Sequence, residues 1–260
     1  MGKQSVILEI TGLTKNFGGV AVVDDLDLQV HRGEILGLIG PNGAGKTTVF
    51  NLINSVIPKT KGKILFDGID ITNKRQHEIV KLGIGRTFQL NPLFSDFTVL
   101  QNLVSSFQVR PSSSLLDTFF NTRTYRHNEA LILEKSLEIM RFAGLEKFKD
   151  VLAKNLSHGY QKLLSISLAL CTEPKLLLLD EPATALSEDK VEMIMGVVTR
   201  LRKVGTTIIM IEHNIKAIMD YCDRIVVLAY AKKIADGLPL EIRENKEVIE
   251  AYQGLMDNVR

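Results

Sequence analysis

The stretch GPNGAGKT, at residues 40–47, decides the fold of this chain. It matches the pattern G-x-x-x-x-G-K-[ST], in which glycines let the backbone turn its N–H groups inward around phosphate oxygens. The apolar run at residues 34–39 predicts a buried strand before it, and residues 46–57 predict a helix after it. An ordinary glycine-rich turn is the alternative, but it requires neither flanking element. We therefore predict a phosphate-binding loop in an α/β protein.

Two acidic residues end another apolar run, LLLLDEP at residues 176–182. The carboxyl ends of strands are where α/β proteins bind ligands. Asp180 fits a carboxylate that contacts Mg²⁺ through water, and Glu181 fits a base that orients the attacking water. Taken alone, a solvated acidic turn explains the motif equally well. Beside a phosphate-binding loop, the catalytic interpretation is favoured.

Three further side chains are candidates because of their positions relative to predicted strands. His213 closes the apolar run IIMIEHN at residues 208–214, where it could reach a γ-phosphate beside Glu181. Gln89 follows the strand-like run at residues 84–88, and Phe17 follows the first predicted strand. A lone His or Gln is more often structural or exposed, and a lone Phe is more often core. The functional alternative for Phe17 is a stacking face for adenine.

A second anion-binding pattern, LSHGYQK at residues 156–162, precedes the apolar helix predicted at residues 163–170. Ser157 and Gly159 suit a helix N-terminus, whose N–H groups and positive dipole end attract anions. The chain already has one phosphate-binding loop. The pattern therefore raises the question of which molecule's phosphate this second site would contact.

Strands and helices alternate along most of the chain, which predicts a mostly parallel sheet with helices on both faces. Residues 91–171 differ, because they combine helical periodicity with the polar, irregular connection RPSSSLLDTFFNTRTYRHNEA at residues 110–130. A terminal helix is predicted at about 240–253. Further strands are predicted at residues 5–13, 20–30, 63–66, 175–179, 206–211, 224–229 and 232–235.

Composition excludes several classes of function. The net charge of +2 gives no electrostatic reason to expect nucleic acid. The two cysteines, Cys171 and Cys222, have neither disulfide nor metal-ligand spacing, so we expect small buried side chains in a reducing compartment. The sequence has no stretch resembling the roughly 20 apolar residues that span a bilayer, and its N-terminus lacks the pattern of a signal peptide. A membrane role would therefore require a partner.

In their order along the chain, these motifs resemble the ATP-binding subunit of ABC transporters. Residues 40–47 are similar to the Walker A motif, 156–160 to the signature motif, 176–180 to Walker B, and 185–189 to the D-loop. Glu181 occupies the position of the catalytic glutamate, His213 that of the switch histidine, and Gln89 that of the Q-loop. The resemblance implies nucleotide contacts from Phe17, Asn42, Gly43, Ala44, Gly45, Lys46, Thr47 and Thr48. It also implies Mg²⁺ contacts from Thr47, Gln89 and Asp180.

The same resemblance implies an α/β fold, with a P-loop NTPase core, an N-terminal antiparallel β subdomain and an inserted α-helical subdomain. The first two would occupy about 1–90 and 172–236, and the third about 91–171. The chain would act as a head-to-tail dimer with a sibling or identical ATP-binding subunit, so that Ser157 and Gly159 contact the partner's ATP. Its other partners would be transmembrane permease subunits and, indirectly, a substrate-binding protein. Its location would be peripheral, on the cytoplasmic face of the cell membrane.

A narrower likeness is to the importers of branched-chain, or hydrophobic, amino acids. It is carried by GIGRTFQLNPLF at residues 83–94, by the insert and by the C-terminal residues 235–254. ATPases for urea uptake and lipopolysaccharide export share parts of this pattern and remain alternatives. A soluble ABC ATPase of DNA repair or translation and a non-catalytic regulatory subunit are further alternatives. The first usually has two nucleotide domains or a long coiled coil, and the second would not need Lys46, Glu181 and His213.

This sequence departs from the subfamily in two motifs. The signature usually has Tyr and Gln where this chain has His158 and Tyr160, and the D-loop usually reads Gly-Leu-Asn-Pro where this chain has residues 185–188, ALSE. Ser157 and Gly159 are retained, so we expect phosphate contact to persist. The departures are expected to change communication across the dimer, and hence the rate.

Overall fold

The computed structural model describes residues 5–87, 93–107 and 123–257. Its strands are β1 Val6–Phe17, β2 Val20–His31, β3 Ile35–Ile39, β4 Lys61–Phe66, β5 Ile69–Asp70, β6 Ile84–Arg86, β7 Leu176–Asp180, β8 Thr207–Ile211, β9 Arg224–Ala229 and β10 Lys232–Gly237. Its helices are α1 Lys46–Ile53, α2 Gln76–Leu82, α3 Val99–Phe107, α4 Arg123–Ala143, α5 His158–Leu170, α6 Glu188–Lys203, α7 Ile215–Tyr221, α8 Pro239–Glu244 and α9 Lys246–Asp257.

The strands form two sheets. The first has the order β2-β1-β4-β5, and the pairings between neighbours are antiparallel. The second has the order β10-β9-β3-β8-β7-β6 and is parallel except for the pairing of β10 with β9. This arrangement confirms the predicted fold class. The division of the chain at residues 91 and 171 stays a prediction.

The central strand β3 is buried along its whole length because it has parallel partners on both sides. Leu36 pairs with Ile209 of β8, and Leu38 pairs with Val226 of β9. Strands β7 and β8 are also parallel neighbours. Because parallel strands end at the same edge of a sheet, the residues that follow β3, β7 and β8 lie close together.

Alternate residues of the central sheet enter two different apolar clusters. Leu36 and Leu38 of β3 pack with α1 and the antiparallel sheet on one face. Ile35 and Ile39 pack with α3, α5, α6 and α7 on the other. Successive side chains on a strand point to opposite faces, so a continuously apolar strand fills both clusters. Both cysteines are buried in the second cluster, as predicted.

The helices α3, α4 and α5 pack against one another on one side of the central sheet. Asn102 of α3 is fully buried and fixes the segment that precedes this helix. Its amide donates to the carbonyl oxygens of Phe94 (3.0 Å), Phe97 (3.3 Å) and Thr98 (3.0 Å). Its own oxygen accepts the N–H of Phe94 (2.9 Å). The loop therefore has a fixed conformation although its two phenylalanine side chains are exposed.

Three predicted helices have different bounds in the structure, and the one predicted at residues 163–170 begins earlier, at His158. The prediction that the first helix reaches residue 57 is wrong, because Ser55 has a φ of 51° and the N–H of Val56 returns to Asn51 O (2.8 Å). The single helix predicted over 240–253 is two helices, interrupted at Asn245. The Asn245 side chain accepts the N–H groups of Glu247 (2.9 Å) and Val248 (3.3 Å), which starts a new helix. The sequence analysis also missed α2 and β5.

Two glycines of the phosphate-binding loop allow a matched test of this architecture. Gly40 has a φ of 148°, and a Cβ there would lie 2.0 Å from Leu228 O. Gly43 has a φ of 79°, but a Cβ there would meet no atom within 4 Å. We expect Gly40→Ala to lower the free energy of unfolding by more than about 3 kcal/mol, whereas Gly43→Ala should lower it by about 1–2 kcal/mol from backbone strain alone. Urea unfolding monitored by circular dichroism measures both, and equal losses would contradict the packing argument.

Candidate functional site

An open cleft of about 190 Å³ lies where β3, β7 and β8 end. The loop after β3 forms one side, and the residues that follow β7 and β8 form the other. Its walls are formed by Val22, Asn42, Gly43, Ala44, Gly45, Lys46, Thr47, Thr48, Glu181 and His213. The structure thus brings together the predicted phosphate-binding loop, the predicted base and the predicted histidine.

The backbone of the loop is shaped by glycine. Gly45 precedes α1 with a φ of 96°, and a Cβ there would lie 2.4 Å from Val22 O. In the first turn of α1, the Val49 N–H donates to Gly45 O (2.9 Å). The N–H groups of the first helical turn have no acceptor within the helix, so they are available to an anion in the cleft.

Lys46 lies folded back over this loop. Its ammonium donates to the carbonyl oxygens of Gly40 (2.6 Å) and Pro41 (2.8 Å), and the residue is only 6% exposed. Burial lowers the pKa of Lys46, while the negative charges of Glu181 and Asp180 oppose that shift. A buried ammonium held by neutral carbonyl groups is a ready donor to phosphate oxygens.

Asp180 is almost completely buried behind the cleft. Its Oδ2 accepts a hydrogen bond from Arg86 (3.0 Å), and its backbone N–H donates to Thr87 Oγ1 (3.2 Å). Burial raises the pKa of Asp180, and the Arg86 guanidinium acts in the opposite direction. The second carboxylate oxygen, Oδ1, is buried and has no hydrogen-bond partner in the described part of the chain.

Glu181 and His213 form a direct pair at the open side of the cleft. His213 Nε2 lies 3.0 Å from Glu181 Oε1. Glu181 has a φ of 50°, a conformation that costs a residue with a Cβ about 1–2 kcal/mol. Its backbone is held in place because its N–H donates to Ile211 O (2.9 Å) and its carbonyl accepts the ammonium of Lys162 (2.7 Å).

A buried carboxylate, Glu212, connects the two segments that carry this pair. It is 1% exposed and accepts the backbone N–H groups of Ala183 and, at 3.0 Å, His213. It also accepts the Thr184 hydroxyl (3.2 Å). The segment after β7 and the end of β8 are thereby tied together.

Four predicted site residues in the described part of the chain are not on the walls of the cleft: Asp180 lies behind it, and Phe17, Ser157 and Gly159 lie elsewhere. Phe17 is 49% exposed at the end of β1, with the Lys15 ammonium 4.7 Å from its ring centroid. Ser157 and Gly159 lie at the start of α5, and the Ser157 side chain makes no capping hydrogen bond. Its hydroxyl is therefore not used by its own helix. Gln89 lies outside the described residues.

The unusual Tyr160 faces its own chain. Its ring lies 4.3 Å from that of Phe148, centroid to centroid, and the ammonium groups of Lys190 and Lys147 lie 5.1 and 5.7 Å from it. Lys190 belongs to α6, the helix that follows residues 185–187. Tyr160 of the signature segment therefore contacts the helix that follows the second departing segment, through Lys190.

Comparisons with known proteins agree with this geometry. The family model described as "ABC transporter" matches residues 23–184. The chain belongs to the ABC transporter family of ATPases. A second family model, described as "Branched-chain amino acid ATP-binding cassette transporter", matches residues 232–252. The first match spans residues 40–47, 156–160 and 176–180, the segments that resemble the Walker A, signature and Walker B motifs.

Two relatives are similar over nearly their whole length. The chain is 36% identical to the high-affinity branched-chain amino acid transport ATP-binding protein BraF of Pseudomonas aeruginosa, over 95% of this chain and 98% of that protein. It is 35% identical to LivG of Escherichia coli, which has the same description and the same coverage. The ADP conformation of MJ1267, an ATP-binding cassette of an ABC transporter, superposes with a TM-score of 0.85 at 32% identity, over 96% of this chain and 99% of that one.

The segment matched by the second model also reaches the Walker A loop. Val248 and Ala251 of α9 are buried, and the half-buried phenol of Tyr252 lies beside the backbone of Gly40. Burial raises the pKa of Tyr252, whereas its hydrogen bond with the Gly40 backbone acts in the opposite direction. None of the helices in the described parts of the chain is long and apolar enough to cross a membrane.

Sequence reasoning missed several residues that shape the site: Val22, Arg86, Lys162, Glu212 and Tyr252. No local pattern marks any of them, because each acts through a contact distant in sequence. The bond from Arg86 to Asp180 joins residues 94 positions apart, for example. Only the charge of Arg86, Lys162 and Glu212 within otherwise apolar surroundings could have suggested a buried role.

Removing the Arg86 side chain tests the importance of the buried ion pair. We expect Arg86→Met to lower the free energy of unfolding by about 3–5 kcal/mol near pH 8, because the Asp180 carboxylate loses its cation. The loss should be smaller at pH 5. Without Arg86, the pKa of Asp180 in the folded state rises further above its pKa in the unfolded state. The free energy of unfolding therefore declines as pH increases from the unfolded-state pKa to the folded-state pKa.

The control for this experiment is Lys154→Met, which removes an exposed ion pair with Asp96. That change should cost less than about 1 kcal/mol. Urea unfolding at pH 5 and pH 8 compares the two variants. If Arg86→Met lowers the free energy of unfolding as little as the control does, Arg86 does not compensate the Asp180 charge. The same conclusion follows if the decrease is equal at both pH values.

Proposed function

We propose that this ATPase hydrolyses ATP to drive the import of branched-chain or other hydrophobic amino acids through membrane permease subunits. The observation that carries the catalytic part is the single cleft shared by the Walker A loop, Glu181 and His213. The transport part rests on the similarity to BraF and LivG, which are branched-chain amino acid transport ATP-binding proteins, together with the match at residues 232–252.

The nucleotide phosphates would lie against the Walker A loop. The N–H groups of Asn42, Gly43, Gly45 and Thr48 would surround the oxygens, since glycine conformations open the loop toward the cleft. The Ala44 N–H donates to Pro41 O (3.2 Å) within the loop. The Lys46 ammonium would exchange its two carbonyl acceptors for β- and γ-phosphate oxygens. The exposed ring of Phe17 would stack on the adenine, although one of its faces already has Lys15 above it.

The residues present fit a Mg²⁺ ion. The Thr47 side chain lies on the cleft wall, and the unpartnered Asp180 Oδ1 is an acceptor suited to a metal-bound water. Gln89 would add an amide oxygen. In the described residues no group of three or more His, Cys, Asp or Glu side chains could hold a metal ion. Thr47, Gln89 and the nucleotide itself would hold the ion, with Asp180 acting through water, and the ion would neutralise phosphate charge.

Glu181 would orient or deprotonate the attacking water, and His213 would stabilise the γ-phosphate side. The 3.0 Å contact between them lets the histidine hold the carboxylate before substrate arrives. Phosphoryl transfer requires mainly positioning and charge neutralisation, so a restrained carboxylate is what the reaction needs.

The active form would be a head-to-tail dimer with a sibling or identical subunit. Ser157 and Gly159 lie away from the cleft of their own chain, and the Ser157 hydroxyl is not used in capping. At the N-terminus of a 13-residue helix, they are suited to contact the γ-phosphate in the partner's site. ATP would stabilise the closed dimer, and hydrolysis would reopen it.

The permease would contact the segment before α3, at the cytoplasmic face of the membrane. Phe94 and Phe97 are 56% and 41% exposed, and their ring centroids lie 5.1 Å apart. Exposed aromatic pairs held on a fixed backbone favour a protein partner. A periplasmic or lipid-anchored substrate-binding protein would join the complex through the permeases. The net charge of +2 gives no electrostatic reason to expect nucleic acid as a partner.

The alternatives differ in substrate or class. Urea uptake and lipopolysaccharide export would keep the same ATPase cycle, and a soluble ABC ATPase would keep the cycle but lack permeases. A non-catalytic regulatory subunit would bind ATP without turnover. Neighbouring genes for two permeases and a binding protein would separate import from the other cases.

Replacing the proposed base tests the catalytic cycle. We expect Glu181→Gln to lower kcat by about 10²–10⁴-fold, because the amide cannot accept the proton of water. The variant should still bind ATP and accumulate an ATP-dependent dimer, measured by light scattering. Lys46→Ala is the contrasting variant, since it should lose ATP affinity and form no such dimer. Unchanged turnover in Glu181→Gln would remove Glu181 from the mechanism.

The transport assignment is tested by purifying this chain together with its proposed permease subunits. We expect Phe94→Ala combined with Phe97→Ala to reduce co-purification at least about tenfold, because hydrophobic anchors dominate such interfaces. Val204→Ala is the control, since Val204 is a 70% exposed apolar residue at the end of another helix. In the intact complex, a binding protein loaded with leucine should stimulate the ATPase. Stimulation by urea instead of leucine would overturn the substrate class.

A further inference from the structure

Lys162 is a buried cation that the mechanism above does not use. It lies in the second turn of α5, five residues after Ser157, and is 8% exposed. Lysine is rarely buried without a specific partner. Its ammonium donates to the backbone carbonyl oxygen of Glu181 at 2.7 Å.

The acceptor of this hydrogen bond belongs to Glu181, a site residue with a strained backbone conformation. Glu181 has a φ of 50°, which a residue with a Cβ adopts only where its surroundings impose it. Its N–H is fixed by Ile211 O at 2.9 Å, so the carbonyl is the other backbone group that must be held. The charge of Lys162 makes this second hydrogen bond stronger than one from a neutral donor.

The two ends of this contact belong to different elements. Helix α5 packs against α3, α4, α6 and β6, whereas Glu181 directly follows β7 of the central sheet. The N-terminus of α5 carries Ser157 and Gly159, which the proposed function directs toward the partner's ATP. One side chain therefore connects the helix that would sense the partner's nucleotide with the carboxylate that would act on the chain's own nucleotide.

We infer that Lys162 is a positioning residue, which holds the backbone of Glu181 and makes the orientation of the catalytic carboxylate depend on the placement of α5. This inference rests on the proposed function, since it assigns Lys162 to a reaction in which Glu181 is the base. Lys162 does not contact the nucleotide. It acts on the rate of the chemical step and leaves the phosphate-binding loop unchanged.

The test compares steady-state ATPase kinetics of the full chain with those of Lys162→Met. We expect kcat to fall by about 10–100-fold, because displacement of a catalytic group by an ångström has effects of this size. KM for ATP should stay within about threefold, because the Walker A loop is intact. Lys162→Arg keeps a cation of similar reach and should restore kcat to within about threefold of the original chain.

A control on the same helix separates positioning from general loss of stability. Ser167 is fully buried and its hydroxyl donates to Leu163 O at 2.8 Å, so Ser167→Ala also removes a side-chain hydrogen bond from α5. It should leave kcat unchanged. If Lys162→Met does not fold, Lys162→Gln, which keeps a polar donor, should still lower kcat with KM unchanged.

Glu181→Gln, measured in the same series, distinguishes failure of this inference from failure of the proposed function. Normal kcat in Lys162→Met, or in Lys162→Gln if the first variant does not fold, would overturn the role of Lys162 alone, provided that Glu181→Gln is inactive. Normal turnover in Glu181→Gln would overturn both. Combining Lys162→Met with Glu181→Gln should preserve the ATP-dependent dimer, and loss of that dimer would show that Lys162 maintains α5 instead of positioning Glu181.

Discussion

The parallel register of β3, β7 and β8 is the constraint on which the rest of the site depends. Each strand is too short to carry a site by itself, but all three end at one edge of the sheet. Gly40, Glu181 and His213 follow closely after these ends, and no longer loop is required to bring them together. The strands can be this regular because both of their faces are covered by apolar clusters. Packing in the sheet thereby fixes the geometry of a cleft that contains few apolar contacts.

The charged groups at this edge are buried more deeply than their hydration would favour. Lys46, Asp180 and Glu212 are each at most 6% exposed. Burial lowers the pKa of Lys46 and raises that of Asp180, so both groups are held against their desolvation by neighbours. Arg86 compensates Asp180, and backbone N–H groups compensate Glu212. Lys46 contacts only neutral carbonyl oxygens, and a bound nucleotide would supply the opposite charge that it lacks there.

Local patterns in the sequence identified the parts of the site that depend on neighbours in the chain. The Walker A loop was predictable because its glycines, lysine and helix N-terminus are contiguous, and the approach of His213 to Glu181 followed from strand ends. The break at Asn245 was not predictable, because a single capping residue interrupts an otherwise continuous apolar periodicity. Lys162 was missed for another reason. Its acceptor is a backbone carbonyl 19 residues away, made available by an unusual φ that the sequence does not encode locally.

The signature segment has two properties that involve different residues: anion binding at its helix N-terminus and packing against its own chain. Ser157 and Gly159 lie at the helix N-terminus, where backbone N–H groups and the helix dipole determine anion binding. Tyr160, which replaces the usual glutamine, packs against Phe148 and beside the Lys190 ammonium of its own chain. A Cβ on Gly159 would also lie only 3.1 Å from Lys190 Cδ, so this lysine restricts the signature helix from outside. Tyr160 thus attaches α5 to α6 on the side of the helix that faces Lys190. In the proposed dimer, a change at this position would alter communication between the subunits, because Ser157 and Gly159 would keep their contact with phosphate.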